Sequence, residues 1–329
     1  MRDASLGLKR LAIDLSRPVF SSGKKSPSHP LTRRLHRGHR VHFMGIGGIG
    51  MSGLAKICQA RGMEVSGCDS SRNCIVRELE ALGIPVRVGH SLRHIEGGIG
   101  LLVHSAAIPV DQPELHEAMQ WGVPTMTRGE LLAELAKTHR LIGVAGSHGK
   151  TTTSAMAAGL LIHAGWDPTV LVGGIVKALG GNARAGSGRY LVAETDESDG
   201  SFLLVKPEHA IITNVDREHL NHYETFDKLI GAFEKFVKQV APAGTLIRCQ
   251  DDALVRQLPD HPNQITCGLH ALSDVRGHSV RYEGHHASFE VDYRGRGLGT
   301  FILNVPGRHN VVNALAVIAL GLTLDIPVT

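Results

Sequence analysis

The 329-residue chain has few aromatic side chains, few cysteines, and no uninterrupted apolar run long enough to cross a bilayer. Aromatics supply 4% of the residues and the lysines and arginines do not cluster with them, so a surface that stacks single-stranded nucleic acid is not expected. The five cysteines (Cys58, Cys68, Cys74, Cys249, Cys267) contain no C-x-x-C pair and no tightly spaced even set. Such spacing argues against a disulfide scaffold or a zinc ribbon and fits a reducing, cytoplasmic setting. Without a stretch of about 20 apolar residues, no membrane association is expected either.

What is present is the composition of a globular α/β protein: 42% hydrophobic residues, 20% charged residues and 39 glycines. The length suffices for two domains with sizeable cores. Charge is unevenly placed. Residues 1–40 carry ten Lys/Arg against two acids, whereas the rest carries 25 against 29. This first stretch mixes Arg, Lys, Ser and Pro around a broken apolar segment (Leu8, Leu11, Ile13, Leu15) that does not build a secretory signal core. It is expected to be a basic, disordered leader dispensable for folding or the product of a misassigned start codon, although organelle transit peptides share its loose composition.

From Val41 onward, short apolar strands alternate with helical stretches: 41–44, 50–61, 65–68, 73–82, 85–88, 101–105, 113–122 and 129–137. Alternation of this kind predicts a parallel sheet covered by helices. A second start at Leu141–Ala145 leads through a glycine loop into a helix that ends near Gly165. Strands at 190–193 and 210–214, an amphipathic stretch at 226–240, a β-rich region at 244–305 and a helix at 310–322 follow. The expected architecture is a Rossmann-like domain over 41–138 followed by a P-loop α/β domain of ATPase type over 139–329.

Two glycine loops carry the chemistry. Gly45-Ile-Gly-Gly-Ile-Gly50-Met-Ser-Gly53 follows a strand and opens a helix, with G-x-G-x-x-G spacing through Gly45, Gly47 and Gly50. Backbone amides at such a helix start hold a pyrophosphate, and Asp69, at the end of the next strand, stands where an acid bonds a ribose hydroxyl. On these residues alone the loop reads as a nicotinamide dinucleotide site or a tight structural turn. Asp69 reads equally as a turn residue or cap, and Ser105, at a later strand end, as a ligand contact or a plain turn.

The second loop, Gly146-Ser-His-Gly149-Lys150-Thr151-Thr152, is the stronger signal. Gly146 and Gly149 let the backbone approach a triphosphate, Lys150 supplies a point charge, and the Thr151 hydroxyl suits Mg²⁺. Val144 stands where the longer G-x-x-x-x-G-K-[ST] form has glycine, so this is a shorter variant. Downstream, Glu194 ends an apolar strand and is the chosen magnesium ligand, with Asp196, Glu197 and Asp199 left as caps or solvent-facing acids. His219, after a further strand, reads as a metal ligand or as a hydrogen-bonded structural histidine.

Taken together, HFMGIGGIGMSGLA (42–55), SAAI (105–108), GSHGKTTT (146–153), LVAETDESDGSF (191–202), TNVDREHLNHY (213–223) and VPGRHNVVNALA (305–316) resemble the Mur ligases, in that family's order and over nearly all of residues 40–325. The first loop is most similar to the alanine-adding branch, with the muropeptide-recycling branch as the alternative. The resemblance implies ATP-dependent ligation of L-alanine to UDP-N-acetylmuramate in peptidoglycan precursor synthesis. It moves Gly45, Gly47, Gly48, Gly50, Met51, Asp69 and Ser105 from a nicotinamide dinucleotide to the UDP-sugar. It also assigns Gly146, Ser147, His148, Gly149, Lys150, Thr151, Thr152, Asn310 and Asn313 to ATP, makes Thr151, Glu194 and His219 ligands of Mg²⁺, and names Lys150, Glu194 and His219 as catalytic.

Three departures from the family stand out. Ser147 replaces the usual Thr, Asn221 replaces the usual Asp, and the 329 residues are expected to hold only the first two domains of the family, whose third would supply an arginine for ATP and much of the amino-acid site. The last departure sets an expectation that this chain binds nucleotides but ligates poorly by itself, leaving a non-catalytic nucleotide-binding fragment as a second reading.

Overall fold

The computed structural model of the chain describes residues 35–95 and 98–328, so residues 1–34 of the expected leader lie outside the described residues. Strand β1 (Arg40–Met44) is buried from Val41 onward, the burial of a parallel strand covered on both faces. Helix α1 (Ile49–Ala60), β2 (Glu64–Asp69), α2 (Cys74–Ala81), β3 (Val86–Val88), β4 (Leu101–His104), α3 (Pro113–Gln120), β5 (Thr125–Thr127) and α4 (Arg128–Ala136) follow. Local chemistry sets several helix starts: the Asn73 side chain accepts from the Val76 amide, and Thr127 and Glu130 form a reciprocal capping box at α4. The strands pair in the order β3-β2-β1-β4-β5, all parallel. Strand order therefore reverses between β1 and β4, and a crevice opens there at their carboxyl ends.

The second sheet begins with β6 (Arg140–Ala145), followed by α5 (Lys150–His163), β7 (Thr169–Val176), β8 (Gly181–Arg184), β9 (Tyr190–Glu194), β10 (His209–Ile212), α6 (Leu220–Tyr223) and α7 (Phe226–Gln239). It continues with β11 (Thr245–Cys249), α8 (Ala253–Gln257), β12 (Gln264–Gly268), β13 (Val275–Glu283), β14 (His286–Tyr293), β15 (Arg296–Leu303) and α9 (Arg308–Thr323). The ten strands run β15-β14-β13-β12-β11-β10-β6-β9-β7-β8. The β6 strand lies between β10 and β9, so the loop after β6 is flanked by the ends of both neighbours. One face is covered by α7, which buries Leu229, Ala232, Phe233, Phe236 and Val237 at helical spacing. The other is covered by α5 and α9, with Met156, Leu161, Leu315 and Leu320 fully buried.

The second sheet is mixed, not parallel throughout. The β-rich region resolves at its end into an antiparallel meander of β13, β14 and β15, and the opposite edge carries the antiparallel pair β7 and β8. Helix α1 packs on that edge: a Cβ at Gly53 would lie 2.4 Å from Leu171 Cδ1. The buried Asn182 of β8 donates to the Ile49 carbonyl and, at 2.9 Å, to Ser52 Oγ, and it accepts from Lys56 Nζ. One helix thus belongs to the first sheet and docks on the second. Among the described residues, no helix is long and apolar enough to cross a membrane.

Candidate active site

The first glycine loop and Ser105 come together at the switch point of the first sheet. Gly45 has φ of 76°, and a Cβ there would lie 3.2 Å from Ser105 Cβ, so glycine permits both the turn and the approach of the β4 end. Gly48, Gly50, Met51 and Ser105 line a cleft of about 270 Å³ between the two sheets. Asp69 is buried and turned inward: its Oδ2 accepts from the Gly47 amide at 2.8 Å and its Oδ1 from the Ser71 amide at 3.2 Å. A Cβ at Gly47 would lie within 3.0 Å of Asn73, Asp69 and Val76, so the Gly47 amide faces Asp69 and not the cleft. Asp69 holds the loop. Ser105 Oγ accepts from the Ala107 amide at 3.3 Å and lines the cleft as well.

On the second sheet, Gly149 (φ 80°) is the N-cap of α5 and contributes no side-chain cap, leaving the helix amides directed at the loop. Gly146 (φ 132°) approaches the end of β10 so closely that a Cβ would lie 2.2 Å from Thr213 Oγ1. That strand end fixes the loop: Asn214 Oδ1 accepts from the His148 amide at 2.8 Å, the Asn214 carbonyl accepts from Ser147 N, and Ser147 Oγ accepts from Asp216 N. Retention of a hydroxyl at Ser147 is thereby explained. The exposed His148 ring lies 3.4 Å from Asp216 and 3.6 Å from Glu218. Asn313 packs against Gly149 and lines a second cavity, of about 410 Å³, with Thr213, Asp251 and Arg308. Asn310 is buried and donates to the Pro306 carbonyl at 2.7 Å, so it shapes the entry to α9.

The acids divide by position. Glu194 accepts from Thr151 Oγ1 at 2.8 Å and from the Gly173 amide at 2.7 Å. Thr151 and Glu194 therefore offer two hard oxygen donors at nearly the spacing, about 2.9 Å, of adjacent ligands around Mg²⁺. Glu197 neither caps a helix nor faces solvent. It is fully buried, with both carboxylate oxygens 2.8 Å from Lys150 Nζ, and burial pushes its carboxyl above the ordinary range against the opposing pull of Lys150. His219, with a left-handed φ of 58°, places Nε2 3.5 Å from Glu197 Oε1. The structure thus brings Thr151 to Glu194, and Lys150 and His219 to Glu197. Thr152 is half-buried on the first turn of α5, and Asn221 is exposed in α6.

Asp196 and Asp199 accept from the amides of Ser198 and Ser201, two residues on, and so close local turns; neither caps the 3₁₀ turn over 201–204, whose N-cap is Gly200. Their remaining oxygens lie 3.2 and 3.0 Å from Arg128 Nη2. Burial alone would raise Asp199, but the hydrogen bonds from Ser201 and Arg128 hold it below the ordinary carboxylate range. Arg128 also lines the cleft and abuts Gly50. Nothing in the residues around it singled out Arg128, because its role comes from α4 meeting the 196–201 segment. Glu197 was hidden among four acids in six residues, where only burial distinguishes it.

The cleft sets the first glycine loop opposite β7 and the end of β9: Gly48, Gly50, Met51 and Ser105 share it with Gly173, Glu194 and Asp196. Comparison with known proteins finds two family models along the chain. Residues 40–140 match the model of the Mur ligase family catalytic domain, and residues 144–321 match the Mur ligase middle domain. The chain belongs to the Mur ligase family. Among its relatives, the UDP-N-acetylmuramate--L-alanine ligases of Sorangium cellulosum and Solibacter usitatus are 44% and 46% identical over 84% of this chain and 59% of their own length. This Mur ligase chain therefore spans about three fifths of the curated relatives it matches. Among solved structures, UDP-N-acetylmuramate-alanine ligase from Thermotoga maritima is 33% identical with a TM-score of 0.79, covering 87% of this chain and 65% of that one. UDP-N-acetylmuramate:L-alanyl-gamma-D-glutamyl-meso-diaminopimelate ligase from Neisseria meningitides is 27% identical with a TM-score of 0.81, covering 88% and 95%.

Proposed function

We propose that the chain carries the UDP-N-acetylmuramate and ATP sites of an L-alanine-adding ligase, with residues 41–138 holding the sugar nucleotide and residues 139–329 holding ATP. The observation that supports this most is the shared cleft, in which the first glycine loop faces Glu194, the acid bonded to Thr151 of the second loop. A sugar nucleotide seated on Gly45–Met51 would present its lactyl carboxylate toward the γ-phosphate end of the P-loop. Higher identity to the alanine ligases than to the muropeptide ligase favours L-alanine as the amine.

A carboxylate resists nucleophilic attack because its charge and resonance oppose it. In the proposed reaction its oxygen attacks the γ-phosphorus of ATP and ADP leaves, giving an acyl phosphate. The amine of L-alanine then attacks the acyl carbon, inorganic phosphate departs, and the amine gives up its proton. Lys150 would neutralise charge on the transferring phosphoryl group, and Glu197 keeps the lysine extended toward the loop carbonyls of Gly146 and Ser147. Mg²⁺, held by Thr151 and Glu194, would supply electrostatic stabilisation of the same charge, while His219 lies instead against Glu197. Positioning of the two substrates in one cleft supplies most of the remaining rate.

Calorimetric titration tests the reading. UDP-N-acetylmuramate should bind with one-to-one stoichiometry, and UDP should compete for the same site. Tight NADH binding that UDP does not affect would overturn the assignment.

A further inference from the structure

A second cluster of metal-ligating side chains lies in the first sheet, away from the phosphate loop. His42 of β1, Cys68 of β2, Glu114 of α3 and His94 of the 3₁₀ turn Leu92–His94 each offer one ligand atom, and these atoms all lie within 4.8 Å of one another. His42, Cys68 and Glu114 are buried, and the His94 side chain is 6% exposed. Around them the core is apolar, built from Met44, Leu102 and Leu115. Cysteine spacing could not reveal such a site, since it uses a single cysteine and strand pairing assembles the rest.

The geometry suits one ion. Glu114 Oε1 lies 3.1 Å from His94 Nδ1, 3.5 Å from His42 Nε2 and 3.8 Å from Cys68 Sγ. A zinc tetrahedron with Zn–N of about 2.0–2.1 Å and Zn–S of about 2.3 Å has edges of roughly 3.3–3.6 Å. His42 is also oriented for the task. Its Nδ1 is hydrogen-bonded to Ser66 Oγ at 2.9 Å, which turns Nε2 into the cluster, where that nitrogen is buried and has no hydrogen-bond partner. A buried nitrogen left unpaired is costly, and a cation removes the cost. The other carboxylate oxygen, Glu114 Oε2, accepts from the Ser91 amide at 3.0 Å, and His90 Nδ1 lies 3.3 Å from the Cys68 sulfur, so the outer shell is in place.

We propose that His42, Cys68, His94 and Glu114 form a structural zinc site. Four protein ligands close the coordination sphere and leave no open position for catalysis. Binding exchanges the Cys68 thiol proton for the metal and releases that proton to solvent; one thiolate, one carboxylate and two neutral imidazoles then balance the dication. The site ties the 92–94 turn and α3 to the central strand β1 and its neighbour β2. It also steadies the sugar loop, because the Cys68 carbonyl accepts from the amides of Gly45 and Ile46 at 2.8 and 3.1 Å. This inference stands apart from the ligase reading and does not depend on it.

The test uses the full chain, stripped with a chelator and titrated with Zn²⁺ against a competing chelating dye, with Co²⁺ as the spectroscopic probe. One equivalent of zinc should bind and raise the melting temperature. Cobalt should give tetrahedral d–d bands and a thiolate-to-metal charge-transfer band that Cys68→Ser abolishes. His94→Asn should weaken zinc at least ~100-fold, and Ser66→Ala, which removes only the outer-shell partner, about 10–100-fold. A wild-type cobalt spectrum without the thiolate band would overturn the proposal with no variant needed. Zinc affinity unchanged in both Cys68→Ser and His94→Asn would do the same.

Discussion

Lys150 faces two partners, the carbonyls of its own glycine loop and the buried acid beneath it. Lys150→Ala should therefore remove about 1.5–3 kcal/mol of magnesium-ATP affinity, the worth of a charge-assisted hydrogen bond, and should also strand Glu197 in the core. Breaking a buried pair from one side costs about 3–5 kcal/mol unless the remaining group takes up a proton. Burial already holds the Glu197 carboxyl above its ordinary value of 4.5, and loss of the lysine removes the opposing pull. A carboxyl with a raised folded-state pKa contributes stability that is fully present below its unfolded value and is lost as the pH rises through the folded one. Melting curves between about pH 5 and about pH 8 should thus show the gap between wild type and Lys150→Ala widening with pH, while the added change Glu197→Gln should flatten it. A gap that does not vary with pH would show that Glu197 does not depend on Lys150.

Among the elements, the loop between β1 and α1 illustrates what local pattern conveys and what it omits. Its glycines marked a strand, a tight turn and a helix start, which leave a sequential trace, and the second glycine loop and the place of Glu194 at a strand end were legible for the same reason. Asp69 was legible as a residue of that loop but not in its orientation, which depends on the Gly47 amide meeting it from another strand end. Strands β5, β7 and β8 escaped the pattern because they are short or glycine-containing, and β8, paired with its sequence neighbour β7, takes its further support from Ser52 of α1, 130 residues earlier. Glu197 and the His42 cluster escaped it because burial and strand order, not spacing, define them. If Asp69 holds the loop, Asp69→Ala should destabilise the ligand-free protein by about 1–3 kcal/mol, the cost of buried donors left unpaired. Asp69→Asn, which keeps an acceptor oxygen, should cost less. A ligand-free Asp69→Ala protein that melts like wild type, yet binds UDP-N-acetylmuramate poorly, would place the carboxylate on the ligand instead.

For the whole molecule, the question is whether the two sheets act as one body, and α1 decides it. The helix opens at the first glycine loop, buries Gly53 against Leu171 of β7, and is bonded through Ser52 and Lys56 to Asn182 of β8. Further along β7, the Gly173 amide holds Glu194. The first glycine loop and the acid beside Thr151 are thus linked by one helix and one strand, and a shift of α1 changes the cleft between them. Gly53→Val places branched carbon where the Cβ alone would lie 2.4 Å from Leu171 Cδ1, and overpacking of this kind costs about 1–3 kcal/mol. Because Lys150 and Thr151 make their hydrogen bonds within the second sheet's own loops, magnesium-ATP affinity should change little. Docking of the sheets should suffer instead. Calorimetry should give a single unfolding transition for the wild type, raised as a whole by UDP-N-acetylmuramate, with about 2.7 kcal/mol added at a hundredfold excess over Kd. In Gly53→Val the transition should divide, and the sugar nucleotide should raise only the part that belongs to the first sheet. An undivided transition in the variant, still raised as a whole, would mean that contacts other than α1 on β7 and β8 hold the two sheets together.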